Sequence, residues 1–168
     1  MKVIQIKEIA KKEIITKAGH LCKYAAYVSK GCFRFFKTNK NGVEYVTLFA
    51  FEDYWVGDMN SLMNREPAKM NVQALEDSTI MAINSRDFQS LIKTCPGFSE
   101  FTRIKRLKAY DAVLEHSVDV NESAETRYEK LLQRYPKISQ RVPLYHMASY
   151  LGITPESLSR IRKNLYQN

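Results

Sequence analysis

Near the C-terminal end, Glu156, Ser159, Arg160 and Lys163 recur at intervals that gather side chains on one side of an α-helix. Together they offer a carboxylate acceptor, a hydroxyl that bonds in either sense, a planar multi-donor fork and a point cation. Such a set can read base edges. An arginine donates twice to guanine O6 and N7, a glutamate accepts from cytosine N4, and a serine works either way. Leu158, Ile161 and Leu165 fall on the opposite face, as a helix packed on its own core requires. Arg141, Arg162 and Lys163 are candidates for neutralising phosphates.

The elements that must hold this helix are legible around it. Residues 142–163 read as two short helices about Gly152. Pro143 and Pro155 stand where proline is favoured as a first helical residue, Gly152 supplies the turn, and Thr154 can cap the second helix. After Pro136 the basic residues Lys137, Arg141, Arg160, Arg162 and Lys163 are opposed by one acid, Glu156, which concentrates positive charge where a polyanion would be met. The competing reading is an ordinary helical hairpin with a solvated face. Capping at both helix starts, the glycine turn and the basic bias together favour a nucleic-acid-reading unit.

The whole chain has 168 residues and a formal net charge of +8, enough for one sizeable core and a small second unit. It is 45% hydrophobic and 26% charged, with no apolar run near the ~18 residues of a membrane span. The N-terminal residues lack the apolar core of an export signal, so a soluble, cytoplasmic protein without membrane contact is expected. Cys22, Cys32 and Cys95 form no C-x-x-C pair and leave one over. Buried, reduced thiols are therefore expected in place of disulfides, zinc or iron-sulfur ligation. His20, His116 and His146 are too few and too scattered for a cupin-type metal site. No metal is expected, and no paired carboxylates or activated nucleophile suggest an enzyme.

The first half alternates β-branched and aromatic residues between Gly19, Gly31, Gly42 and Gly57, a spacing close to that of a sandwich or barrel. Strands are predicted at 13–16, 23–28, 32–37, 43–51, 69–75 and 79–83. Asn41-Gly42 suits a tight hairpin turn with positive φ angles. A short helix capped by Asn84 or Ser85 follows, stopped by Pro96-Gly97. A longer helix over 98–118 carries Phe101, Ile104, Leu107, Leu114 and Val118 on an approximate heptad seam that Asp111 interrupts. That seam can pack on the β-rich half or pair with its twin in a dimer. Another helix is predicted from an N-cap at Asn121 until Pro136 ends it.

The run Leu151-Gly152-Ile153-Thr154-Pro155-Glu156-Ser157-Leu158-Ser159-Arg160 resembles the helix-turn-helix of the cyclic-AMP receptor protein and fumarate-nitrate regulator (Crp/Fnr) family. The element order is similar along nearly the whole chain. The resemblance implies an α+β fold: a cyclic-nucleotide-binding-like β jelly roll at 1–97 as sensor, a dimerisation helix at 98–120, and a DNA-binding helix-turn-helix at 121–168. It implies base reading by Glu156, Ser159 and Arg160, a homodimer built on Ile104, Leu107, Leu114 and Val118, and an inverted-repeat duplex as partner. RNA polymerase is a further partner for the family.

The family's phosphate-binding cassette resembles Val56-Gly57-Asp58-Met59-Asn60-Ser61-Leu62 and, beyond a short helix, Val72-Gln73-Ala74. The cassette is also where this chain departs. Asp58 replaces the glutamate that takes the ribose hydroxyl, and Ala68-Lys69-Met70 stands where an arginine and a hydroxyl residue take the cyclic phosphate. Gly57, Asp58, Arg65 and Lys69 remain the candidate pocket residues, but a displaced guanidinium or an ammonium does not reproduce a bidentate fork. No cofactor is expected, cyclic nucleotide included. The cysteines do not reproduce the cluster of the family's oxygen sensors. Neither the family's first helix nor the β-hairpin wing after the recognition helix is present, which fits a compact subfamily or a shortened chain. The expected function is a DNA-binding transcription regulator sensing an unidentified signal. The alternative is a sensor or interaction module whose helix-turn-helix does not read DNA.

Overall fold

The computed structural model describes residues 3–167, with side chains as far as Leu165. Its strands are β1 (Gln5–Ile9), β2 (Ile14–Thr16), β3 (Tyr24–Lys30), β4 (Phe33–Thr38), β5 (Glu44–Ala50), β6 (Trp55–Val56), β7 (Asn71–Ala74) and β8 (Ser78–Asn84). The one helix inserted among them is α1 (Met59–Asn64), and α2 (Ser85–Thr94) and α3 (Pro96–Val118) follow the last strand. After a 3-10 turn come α4 (Ala124–Arg134), α5 (Ile138–Arg141), α6 (Leu144–Leu151) and α7 (Pro155–Gln167).

The strands form two antiparallel sheets, ordered β1-β8-β3-β6 and β2-β7-β4-β5. Val28, Val56, Ile80 and Ala82 of the first bury against Phe33, Phe35, Val72 and Ala74 of the second. This is the expected α+β sandwich followed by helices. The two strands the sequence did not predict are the ones with least apolar pattern. β1 buries only Ile9 fully, and β6 is two residues long.

In β4 the alternation of buried and exposed positions is absent: Phe33, Arg34, Phe35 and Phe36 are all buried. A strand buried at successive positions is covered on both faces. Here α6 lies on the outer face of β5, and a single core joins Val46, Phe49, Phe51 and Leu75 of the β-half to Tyr128, Leu131, Met147, Leu151, Leu158 and Ile161 of the helical half.

Several local expectations change. The turn at Asn41-Gly42 is not a two-residue hairpin. Gly42 alone has positive φ (80°), its N–H donates to Asn39 O, and Asn39 N–H donates to Val43 O at 2.9 Å. Asn39 Oδ1 accepts from the N–H groups of both Asn41 and Val43, so an Asx-type loop wins over the tighter turn. Pro96 does not merely stop α2 but begins α3, where its missing N–H is harmless. The cap of α4 is Ser123, whose hydroxyl accepts from Thr126 N–H at 3.1 Å, while Asn121 lies in the preceding 3-10 turn. Pro143 precedes α6 as its cap residue. Cys22 and Cys32 are buried, but Cys95, between α2 and α3, is exposed.

Candidate nucleic-acid interface

The helical pair α6–α7 is built as its residues dictate. Gly152 ends α6 in the left-handed conformation (φ 67°), which a residue bearing a Cβ adopts only with strain. Ile153 N–H then reaches back to Ala148 O at 3.0 Å, closing the last turn. Thr154 caps α7: its hydroxyl accepts from Ser157 N–H at 3.2 Å, and its carbonyl accepts from Leu158 N–H.

On α7, Leu158 and Ile161 are buried and Leu165 is partly buried against the same core. Glu156, Ser159, Arg160 and Lys163 are exposed and line, with Pro155, an open groove along the outer side of the helix. The structure therefore brings these side chains to one surface. Arg160 Nη2 makes a long contact, 3.4 Å, to Ser157 Oγ, leaving most of its fork free. The Glu156 carboxyl lies below its ordinary range because its own backbone N–H, then the Thr154 hydroxyl, donate to it, with Arg160 adding attraction. It stays an acceptor. Arg162 is half-buried beside the exposed Lys163.

Arg141 is placed elsewhere. Its guanidinium is held by Glu52 and Glu76 of the β-half, so the donors a phosphate would need are already spent and Arg141, contrary to expectation, is not a phosphate contact.

The α6 helix is fixed to the sheet by Ser149, whose hydroxyl accepts from Val46 N–H and donates to Glu44 O, each at 3.1 Å. Tyr150 packs on Phe49, with ring centroids 5.2 Å apart, and stacks on His116 near the end of α3 at 3.9 Å. An Arg134–Glu115 ion pair adds a link between α4 and α3. On α3 itself, Thr102 and Ala112 are buried toward the rest of the chain, while Ile104, Leu107, Leu114 and Val118 are 47% to 68% exposed. Tyr110, absent from the sequence-level seam, joins this bare apolar stripe. The heptad spacing put Asp111, not its neighbour Tyr110, at that point of the seam.

The cassette residues come together around α1, though with their own contacts. Asp58 caps α1 through Oδ1, which accepts from Ser61 N–H at 3.0 Å, and its Oδ2 accepts from Lys69 N–H at 2.8 Å. Both carboxylate oxygens are thus engaged by backbone. Arg65 ends α1 in the left-handed region (φ 57°), and Ala68 is buried. These residues do not fit the phosphate of a cyclic nucleotide: the cassette's arginine fork is replaced by Ala68-Lys69-Met70. Among the described residues no group of three or more His, Cys, Asp or Glu could hold a metal ion, and no helix is long and apolar enough to cross a membrane.

A β-sandwich with an inserted cassette helix, a long helix with a bare apolar stripe and a helix-turn-helix with a polar outer face follow one another along the chain. Residues 6–95 match the cyclic nucleotide-binding domain, and the chain belongs to that family. Its fold is that of the Crp/Fnr transcription regulators. Solved structures similar to it include FixK2 from Bradyrhizobium japonicum, with a TM-score of 0.84 and 15% identity over 99% of this chain and 86% of that one. The c-di-GMP-responsive global regulator CLP of Xanthomonas campestris has a TM-score of 0.79 and 14% identity over 98% and 87%. A chain assigned to the crp/fnr family of transcriptional regulators from Eubacterium rectale has a TM-score of 0.76 and 15% identity over 97% and 78%. No curated protein matches the sequence significantly.

Proposed function

We propose that the chain is a cytoplasmic, non-enzymatic transcription regulator that binds DNA as a homodimer. The observation that carries this reading is the division of α7, whose apolar residues Leu158 and Ile161 are buried while Glu156, Ser159, Arg160 and Lys163 share one exposed face. Glu156, Ser159 and Arg160 read base edges in the major groove, and Arg162 and Lys163 contact phosphates. A second α3 covers the stripe of Ile104, Leu107, Leu114 and Val118, placing two recognition helices on an inverted repeat. The replacement of the phosphate fork by Ala68-Lys69-Met70 argues for a signal other than a cyclic nucleotide. RNA polymerase is a partner at the promoter.

Selection of bound duplexes from a random DNA pool tests the proposal. Enrichment of an inverted repeat with half-sites about 10 bp apart, centre to centre, is expected. Failure to enrich any palindrome would favour a sensor or interaction module that does not read DNA.

A further inference from the structure

Between the outer face of the β2-β7-β4-β5 sheet and the start of α6 lies a cleft of about 200 Å³, lined by Lys11, Lys12, Arg34, Glu44, Gln73 and His146 among others. Arg34 is its innermost charge, with a side chain only 5% exposed. Nε donates to Gln73 Oε1 at 2.8 Å, and Nη1 meets Glu44 Oε2 at 2.6 Å and His146 Nδ1 at 3.2 Å. Nη2 has no partner among the described residues. Nη2 is not among the buried polar atoms left without a partner, so this edge of an otherwise buried guanidinium opens on the cleft, where its donors can be met by whatever fills it.

The charges round the cleft are unequal: Arg34, Lys11 and Lys12 oppose Glu44. Lys12 also adopts a left-handed backbone (φ 72°). It is held there by its N–H on Ala74 O and its carbonyl on Gln73 Nε2, each at 2.9 Å. A non-glycine residue kept in that region marks a loop whose shape is imposed by its surroundings. We propose that this cleft binds a small oxyanion, a phosphate or carboxylate group, on the free Nη2 edge of Arg34, with Lys11 and Lys12 completing the site and His146 tying it to α6. The ligand would bridge the β-half and the helix-turn-helix. The inference does not depend on DNA binding.

The proton on His146 supplies an internal reporter. Arginine only donates, so Nδ1 is the acceptor and the neutral ring carries its proton on Nε2. Burial first, then the charge of Arg34, holds His146 down at about 4. The ionisable groups that line the cleft with it are Arg34, Glu44, Lys11, Lys12 and Tyr145. An anion bound among them offsets the cationic field and raises the His146 midpoint.

The test is titration of the full chain with inorganic phosphate, and separately with succinate, at constant ionic strength, following the His146 ring by NMR. Saturable binding with an upward shift of the His146 midpoint is expected. The tighter of the two ligands assigns phosphate or carboxylate as the source. Lys11→Gln/Lys12→Gln, which changes exposed side chains only, should weaken binding about tenfold, and Arg34→Lys should abolish it by removing the Nη2 edge. The proposal is overturned if neither anion saturates by about 50 mM, far weaker than any specific small-ligand site, or if the double lysine variant binds as the parent does.

Discussion

Arg141, in the single turn of α5 that leads into the helix-turn-helix, sets Nη1 and Nη2 on the two carboxylate oxygens of Glu52 at 2.8 and 2.7 Å. The same guanidinium engages Glu76 through Nε at 3.1 Å, and Glu52 Oε1 also accepts from Gly31 N–H at 2.9 Å. One cation thus joins the loop after β5 and the turn before β8 to the base of the helix-turn-helix. Bidentate pairing is the stronger form of such a contact, but both partners are partly exposed, so solvent screens it. Arg141→Ala should lower stability by about 1 kcal/mol, read by chemical denaturation. A larger cost, about 3 kcal/mol or more, would mean that the pair behaves as fully buried.

This network also has a pH signature. Hydrogen bonding from Arg141, then from Gly31 N–H, outweighs burial and holds the Glu52 carboxyl at about 2. A depressed folded pKa contributes stability that is complete above the unfolded value near 4.5 and is lost as pH falls toward 2. The stability difference between the parent chain and Glu52→Gln should therefore be constant at neutral pH and shrink between about pH 4.5 and 2. A difference that instead changed between pH 6 and 8, the region of a free histidine, would assign the linkage to another group.

The bare stripe on α3 leads to a prediction about assembly. Leu107→Glu places a charge in the middle of Ile104, Leu107, Leu114 and Val118 and should convert a dimer into a monomer by sedimentation equilibrium. Because Leu107 is 47% exposed in the single chain, the monomer should remain folded by circular dichroism. A variant that stays dimeric would remove this stripe from the interface.

The cassette predicts a negative calorimetric result with cyclic AMP. Ala68-Lys69-Met70 stands where the cassette would carry its arginine fork, so a cyclic phosphate would lack its bidentate partner. Micromolar binding that disappears in Arg65→Ala or Lys69→Ala would show a substitute cation at work and restore a nucleotide-sensing role.

The exposed polar face of α7 was legible because local chemistry and helical periodicity agree there: Gly152 and Thr154 fix the turn and cap, and Leu158 and Ile161 choose the buried face. The sandwich was legible where strands carry β-branched and aromatic runs, and not at β1, whose Gln5-Ile6-Lys7-Glu8 is largely exposed at a sheet edge. What sequence could not supply was pairing at long range. Nothing local distinguishes Arg141, locked to Glu52 across 89 positions, from Lys163, which remains free at the surface. Arg34 did leave a trace: Phe33-Arg34-Phe35-Phe36 breaks the alternation of a half-exposed strand, the mark of a sheet covered on both sides. Its partner His146, 112 positions away, had no such sign.

The central claim, that the outer face of α7 reads bases, is tested most directly by comparing Arg160→Ala and Lys163→Ala on a selected duplex and a random one at matched salt. Arg160→Ala should cost about 1 to 3 kcal/mol per half-site on the selected duplex and far less on the random one, relaxing the preference for a G·C pair. Lys163→Ala should weaken both duplexes alike and reduce the salt slope by about one unit per contact. If Arg160→Ala instead weakens the selected and random duplexes equally, Arg160 touches only the phosphate backbone and the base-reading assignment is wrong.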